Sequence, residues 1–72
     1  MPLNFVGIGK LAEIHSVEGE ELMCKKIMQT GMNKGVIIKI MKNDSGPLII
    51  KVGETRLALG RGMAQRVMVR EI

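Results

Sequence analysis

The 72-residue chain carries a formal net charge of +4, and 46% of its residues are hydrophobic, although Phe5 is its only aromatic residue. This length fits one domain with a thin core, and the apolar content excludes a disordered chain. One cysteine excludes an intramolecular disulfide, and no apolar run approaches the roughly 20 residues that cross a bilayer, so we expect a cytosolic protein.

The N-terminal part of the chain predicts a turn, a glycine-containing loop and then a bent strand over residues 10–17. Ala12 and Ile14 share one face of this strand, but Val17 is out of phase with them. The change of phase predicts a bulge or bend near His15.

Residues 18–31 predict the only convincing helix. Acidic residues come first and lysines follow, which suits the helix dipole, and Gly31 fits the left-handed residue that commonly ends a helix. We expect the buried face to hold Met23, Ile27 and Thr30, with two further apolar residues at its margins: Leu22 and Met28.

The second half of the chain predicts four strands, over residues 35–43, 47–53, 55–59 and 65–71. A dense cluster of turn residues joins the first two into an antiparallel hairpin. With the strand before the helix, the pattern favours a mainly β fold: a small SH3-like β-barrel of about five strands, with a helix between the first and second strands.

The stretch LALGRGMAQRVMV, residues 57–69, could be a phosphate cradle or a corner of the barrel. A dinucleotide fingerprint needs a third glycine where Gln65 stands, and a long helix after it. We therefore predict a corner, in which Gly60 and Gly62 permit tight or left-handed backbone and a short helical turn follows.

Catalytic and metal-binding chemistry has little support in the sequence. His15 and Cys24 are the only borderline or soft ligands apart from methionine, whereas a structural zinc site needs four ligands at short paired spacings. We expect no catalytic residue, no metal site and no cofactor. A metal-responsive regulatory module nevertheless stays open as an alternative function.

The basic charge also permits a nucleic-acid-binding barrel. Single-strand binders stack bases on aromatic side chains, which this chain lacks, and its cations are dispersed along the sequence rather than clustered. Nucleic acid is therefore not expected as a partner, and this function is kept as an alternative.

The order of the landmarks resembles that of the FeoA family, small cytosolic proteins of bacterial ferrous iron uptake. The resemblance covers nearly the whole chain: Gly9 before the first strand, the helix end KKIMQTGMNKG (25–35), Pro47 before an alternating strand, and LAL (57–59) before the last strand. The chain departs from the family at Gly60, where arginine is frequent and Arg61 follows one place later.

The resemblance implies a non-enzymatic accessory or regulatory protein that docks on the cytosolic part of the ferrous iron transporter FeoB. It would be cytoplasmic, recruited to the inner face of the membrane only through the transporter, and able to self-associate. The candidate partner-binding residues lie around the helix end and the corner: Lys25, Lys26, Gln29, Met32 and Arg61. For Met32, packing against the helix end is an equal alternative.

Overall fold

The structure is a computed structural model that describes all 72 residues. A 3-10 turn at Leu3–Phe5 precedes the regular elements, which are β1 (Leu11–Val17), α1 (Glu21–Gln29), β2 (Ile37–Lys42), β3 (Leu48–Val52), β4 (Thr55–Leu59), α2 (Arg61–Ala64) and β5 (Val67–Glu71). The five strands form one antiparallel sheet in the order β4-β3-β2-β1-β5. The predicted elements and their order are confirmed.

One hydrophobic core lies on the inner face of the sheet. Alternate residues of every strand contribute to it, including Leu59 on one edge strand and Val67 and Val69 on the other. Because both edge strands reach the same core, the sheet must bend around it. The rest of the core comes from the 3-10 turn and the segments between strands, including Leu3, Val6, Ile27, Met32 and Ala64.

The predicted bulge in β1 is confirmed. The pairing of β1 with β5 shifts register between Ile14 and Ser16, which places His15 at the irregularity. A second shift occurs in β2, between Ile40 and Lys42 in its pairing with β3. These irregularities increase local bending of the strands, which a small sheet needs if it is to curve around one core.

Helix α1 is shorter than predicted, but it turns the predicted face to the core, with Ile27 buried and Met23 packed against the core residues. Glu20, which falls within the predicted range 18–31, is the N-cap and has an extended conformation. Ile27 is the only buried residue of the helix, whereas Leu22 is 65% and Met28 is 41% exposed. Thr30 is also exposed and donates its hydroxyl to the Ile27 carbonyl. The apolar margins that the sequence suggested are therefore surface residues.

The glycines at the corner do not have the conformation expected of them. The positive-φ residues are six other glycines, and Gly60 has φ −59° and ψ 148°, which any residue can adopt. Gly62 lies within α2. The predicted corner and helical turn exist, but the left-handed backbone proposed for Gly60 and Gly62 is wrong. Gly31, with φ +97°, does end α1 in the left-handed region as predicted.

Candidate docking surfaces

The outer face of α1 brings together three of the five candidate partner residues. Lys25, Lys26 and Gln29 are exposed, and helical spacing places them on the same side as Leu22. Lys25 lies 3.6 Å from a Glu21 carboxylate oxygen, as the i, i+4 spacing predicts. We call Leu22, Lys25, Lys26 and Gln29 the helix surface. It combines an exposed leucine with cations, a combination suited to a partner that is partly apolar and partly acidic.

Met32 is not part of this surface. Its side chain is fully buried in the core, which also contains Ile27. The exposed or marginal position expected for Met32 is wrong, and the alternative of packing at the helix end is confirmed. The chain turns inward after Gly31, so the apolar residue that follows the helix-ending glycine is carried into the core.

Arg61 is engaged in the fold. Its guanidinium donates to the Asn43 side-chain oxygen at 2.9 Å and also to the Asp44 carbonyl. The Asn43 amide in turn donates to the carbonyls of Asn4 and Val6, at 3.0 and 2.8 Å. Arg61 therefore joins α2 to the β2–β3 turn and the N-terminal segment, a structural role that the sequence did not suggest.

His15 and Cys24 have different surroundings. His15 is exposed at the β1 bulge, where it lines a shallow groove with Ser16, Met68 and Arg70. The Cys24 thiol donates to the Val17 carbonyl at 3.3 Å. No group of three or more histidine, cysteine, aspartate or glutamate side chains is placed to hold a metal ion.

The outer face of the sheet carries a line of cations that sequence analysis missed. Lys39 on β2 lies directly opposite Lys51 on β3, and Lys51 lies directly opposite Arg56 on β4. The three ion pairs of the molecule involve other cations. We call Lys39, Lys51 and Arg56 the cationic row. Residues far apart in sequence become neighbours only through strand register, so inspection of the sequence for charge runs could not find it.

One acidic side chain, Glu13 on β1, occupies an outward-facing strand position on this face. Arg70 on β5 lies opposite it and donates to its carboxylate at 2.8 Å. The hydrogen bond from Arg70 lowers the pKa of Glu13, and the positive charge of Arg70 acts in the same direction. Glu13 is thus held as a paired carboxylate, and no acidic side chain forms an ion pair with the cationic row.

Comparison with known proteins places this geometry among related folds. The family model for the FeoA domain matches residues 1–71. A protein of Methanocaldococcus jannaschii with the provisional name Fe(2+) transport protein A is 36% identical over 64 residues, covering 75% of this chain and 78% of the relative.

Two solved structures extend the comparison. The crystal structure of an iron uptake regulatory protein, FeoA, is 35% identical, with a TM-score of 0.92 over 100% of this chain and 96% of that one. FeoA of Stenotrophomonas maltophilia in complex with zinc, described as an SH3 domain protein, is 26% identical, with a TM-score of 0.85 over 97% of this chain and 89% of that one. The SH3-like fold expected from the sequence is confirmed. Neither helix is long and apolar enough to cross a membrane.

Proposed function

The chain belongs to the FeoA family, and on that premise we propose that it is a non-enzymatic accessory protein of ferrous iron uptake that docks on the cytosolic part of the transporter FeoB. The names of the relatives support a role in iron transport. The docking itself is inferred from the surface of the molecule.

The helix surface is the observation that carries the proposal. Leu22 is 65% exposed although it belongs to the longest helix of a small domain with a limited core. A partner that covers Leu22 would remove apolar surface from water, at about 25 cal/mol per Å². Lys25, Lys26 and Gln29 surround it with cations and a hydrogen-bonding amide, so the complementary surface would be apolar at its centre and acidic at its rim.

Two of the sequence-based candidates no longer belong to the proposed site. Met32 is buried, and Arg61 is held by Asn43 and Asp44. The proposed docking site is therefore confined to the helix surface, with Leu22 added. Met28, which is 41% exposed, lies at its edge.

The test is an amide NMR titration of the labelled protein with the cytosolic GTP-binding domain of the host's FeoB, at low and physiological salt. Saturable shifts confined to α1 are expected, because contact with a partner changes the environment of those amides. Leu22→Ser should weaken the binding at least tenfold, since an apolar contact at the centre of an interface contributes more than its rim. The matched control is Ile37→Ser, which also removes an exposed apolar side chain but lies on β2.

Equal weakening by Leu22→Ser and Ile37→Ser would contradict the proposed site. Shifts caused only by a short duplex DNA, and lost at physiological salt, would contradict the proposed partner and favour the nucleic-acid alternative. Shifts confined to another face on addition of the transporter domain would support the proposed partner but contradict the proposed position of the docking site.

A further inference from the structure

The outer face of the sheet carries the cationic row with exposed aliphatic side chains beside it. The line that contains Arg56, Lys51 and Lys39 continues to Leu11, the direct partner of Lys39 on β1. Ile72 follows next to Leu11, to whose carbonyl its backbone amide donates at 3.0 Å. At neighbour spacings of about 4.8 Å, the three cations lie within roughly 10 Å.

The cationic row is unfavourable within the isolated molecule. Like charges directly opposite each other destabilise a sheet, and here two such pairs share Lys51. No acidic side chain forms an ion pair with any of the three. A polyanionic surface laid on this face would relieve the repulsion and gain attraction at three positions together.

The composition of the face favours a lipid surface over a protein. Leu11, Ile37 and Ile72 are 43%, 44% and 62% exposed, and they lie beside the cations rather than apart from them. Lysine and arginine next to exposed aliphatic side chains are typical of segments that lie in the membrane interface. The long stem of lysine can lie along apolar surface while its ammonium reaches the headgroups.

The shape of the face points the same way. The two concavities of the molecule lie near the β1 bulge and near Lys34, and neither is lined by the cationic row or by Leu11. A peptide is usually held in a groove, whereas a lipid surface can contact an outer face that has none.

We propose that this face binds anionic phospholipid directly. Lys39, Lys51 and Arg56 contact the headgroup phosphates, while Leu11 and Ile72 enter the boundary between headgroups and acyl chains. Arg70 pairs with Glu13, which lessens the repulsion between this carboxylate and the lipid. The site does not depend on docking to the transporter, because the helix surface and the cationic row use different residues.

The test is co-sedimentation of the full chain with vesicles of phosphatidylcholine mixed with phosphatidylglycerol, against vesicles of pure phosphatidylcholine, with no transporter present. We expect binding to the anionic vesicles only, weakened by salt. Three basic side chains at an anionic surface should change the partitioning on the order of a hundredfold. In the triple variant Lys39→Gln, Lys51→Gln and Arg56→Gln, partitioning to the anionic vesicles should therefore be about a hundredfold weaker.

The matched control replaces Lys25, Lys26 and Lys34 by glutamine. Both triple variants lower the formal net charge from +4 to +1, so a difference between them reports the position of the charges. A second variant, Lys51→Glu, places an acid between Lys39 and Arg56. It should raise the melting temperature and still weaken vesicle binding, so that loss of binding cannot be attributed to unfolding.

Three results would overturn the proposal. The first is no binding of the unmodified protein to anionic vesicles, and the second is equal loss in the two triple variants. The third is amide shifts at β2, β3 and β4 with poly-glutamate or duplex DNA but not with the anionic vesicles, which would assign the cationic row to a protein or a nucleic acid. Failure of vesicle binding would leave the NMR test of transporter docking unaffected, since that test reads the helix surface.

Discussion

Arg61 and Asn43 connect two parts of the molecule that are 18 residues apart in sequence, through a hydrogen bond of 2.9 Å from the guanidinium to the side-chain oxygen. The side-chain nitrogen of Asn43 donates to the carbonyls of Asn4 and Val6. One amide side chain therefore ties α2, the β2–β3 turn and the N-terminal 3-10 turn together. These elements contribute Leu3, Val6 and Ala64 to the core, so the polar link and the core packing support each other.

Asn43→Ala is expected to destabilise the fold by about 1–3 kcal/mol, because it leaves the carbonyls of Asn4 and Val6 without their donor in a partly buried position. The measurement is urea unfolding followed by circular dichroism. Asn33→Ala is the matched control: Asn33 is exposed and its side chain forms no hydrogen bond within the chain, so its replacement should change the free energy by less than about 0.5 kcal/mol. Equal effects of the two substitutions would show that the Asn43 contacts contribute nothing.

Met32→Ala is expected to cost about 2–5 kcal/mol, since it removes a fully buried side chain and leaves a cavity under the end of α1. Unfolding by urea again measures it. Met32→Leu conserves the volume and should cost less than about 1.5 kcal/mol. Gln29→Ala, on the exposed side of the same helix end, should be nearly neutral. A neutral Met32→Ala would contradict the burial of Met32 and return it to the candidates for docking.

The kinds and order of the elements could be predicted because alternation and turn residues act locally. Val36, Ile38 and Ile40 share one face of their predicted strand, and Gly53 and Glu54 separate two strands, so each strand can be recognised from its own sequence. The core-facing side of α1 could be predicted at Met23 and Ile27, but the width of the buried stripe could not, since it depends on where the sheet lies. Leu22 and Met23 are both apolar neighbours, and only the packing leaves Leu22 in solvent.

The candidate surfaces were harder to predict from the sequence than the fold was. Lys39, Lys51 and Arg56 are well separated in the chain and become a row only because β2, β3 and β4 pair in one register. Arg61 was expected at a partner surface because the FeoA family frequently has an arginine next to this position. Its engagement with Asn43 depends on a turn that approaches α2 only in the folded chain.

Gly31 and Gly60 differ in whether their backbone conformation requires glycine. Gly31→Ala is expected to destabilise by roughly 1–2 kcal/mol because residue 31 has φ +97°, where a β-carbon is strained. The added β-carbon would lie 3.7 Å from a Val52 methyl, an ordinary contact, so the cost is conformational rather than steric. Gly60→Ala meets no atom within 4 Å and should stabilise by about 0.4–1 kcal/mol through the unfolded state. Thermal unfolding measures both effects. Destabilisation by Gly60→Ala would contradict this conclusion and favour the left-handed backbone that the sequence predicted at the corner.

The Glu13–Arg70 pair predicts a pH dependence. The pKa of Glu13 is lowered from its ordinary value near 4.5, chiefly by the hydrogen bond from Arg70 and less by the charges of Arg70 and His15. A carboxyl whose folded pKa is below its unfolded pKa stabilises the fold above the unfolded value, and this contribution is lost as the pH falls through the folded value. Arg70→Gln should therefore raise the pKa of Glu13 toward its ordinary value, and the stability difference between the two proteins should shrink as the pH falls below about 4.5.

Carboxyl-carbon NMR titration of Glu13 measures this shift directly. Arg56→Gln is the matched control, because it removes an arginine from the same face of the sheet but three strands away from β1. If contact with Arg70 lowers the pKa, Arg56→Gln should leave it nearly unchanged, since a distant exposed charge is screened. Equal increases in the two variants would instead assign the lowered pKa to the positive potential of the whole face, to which the cationic row would then contribute as much as the paired arginine.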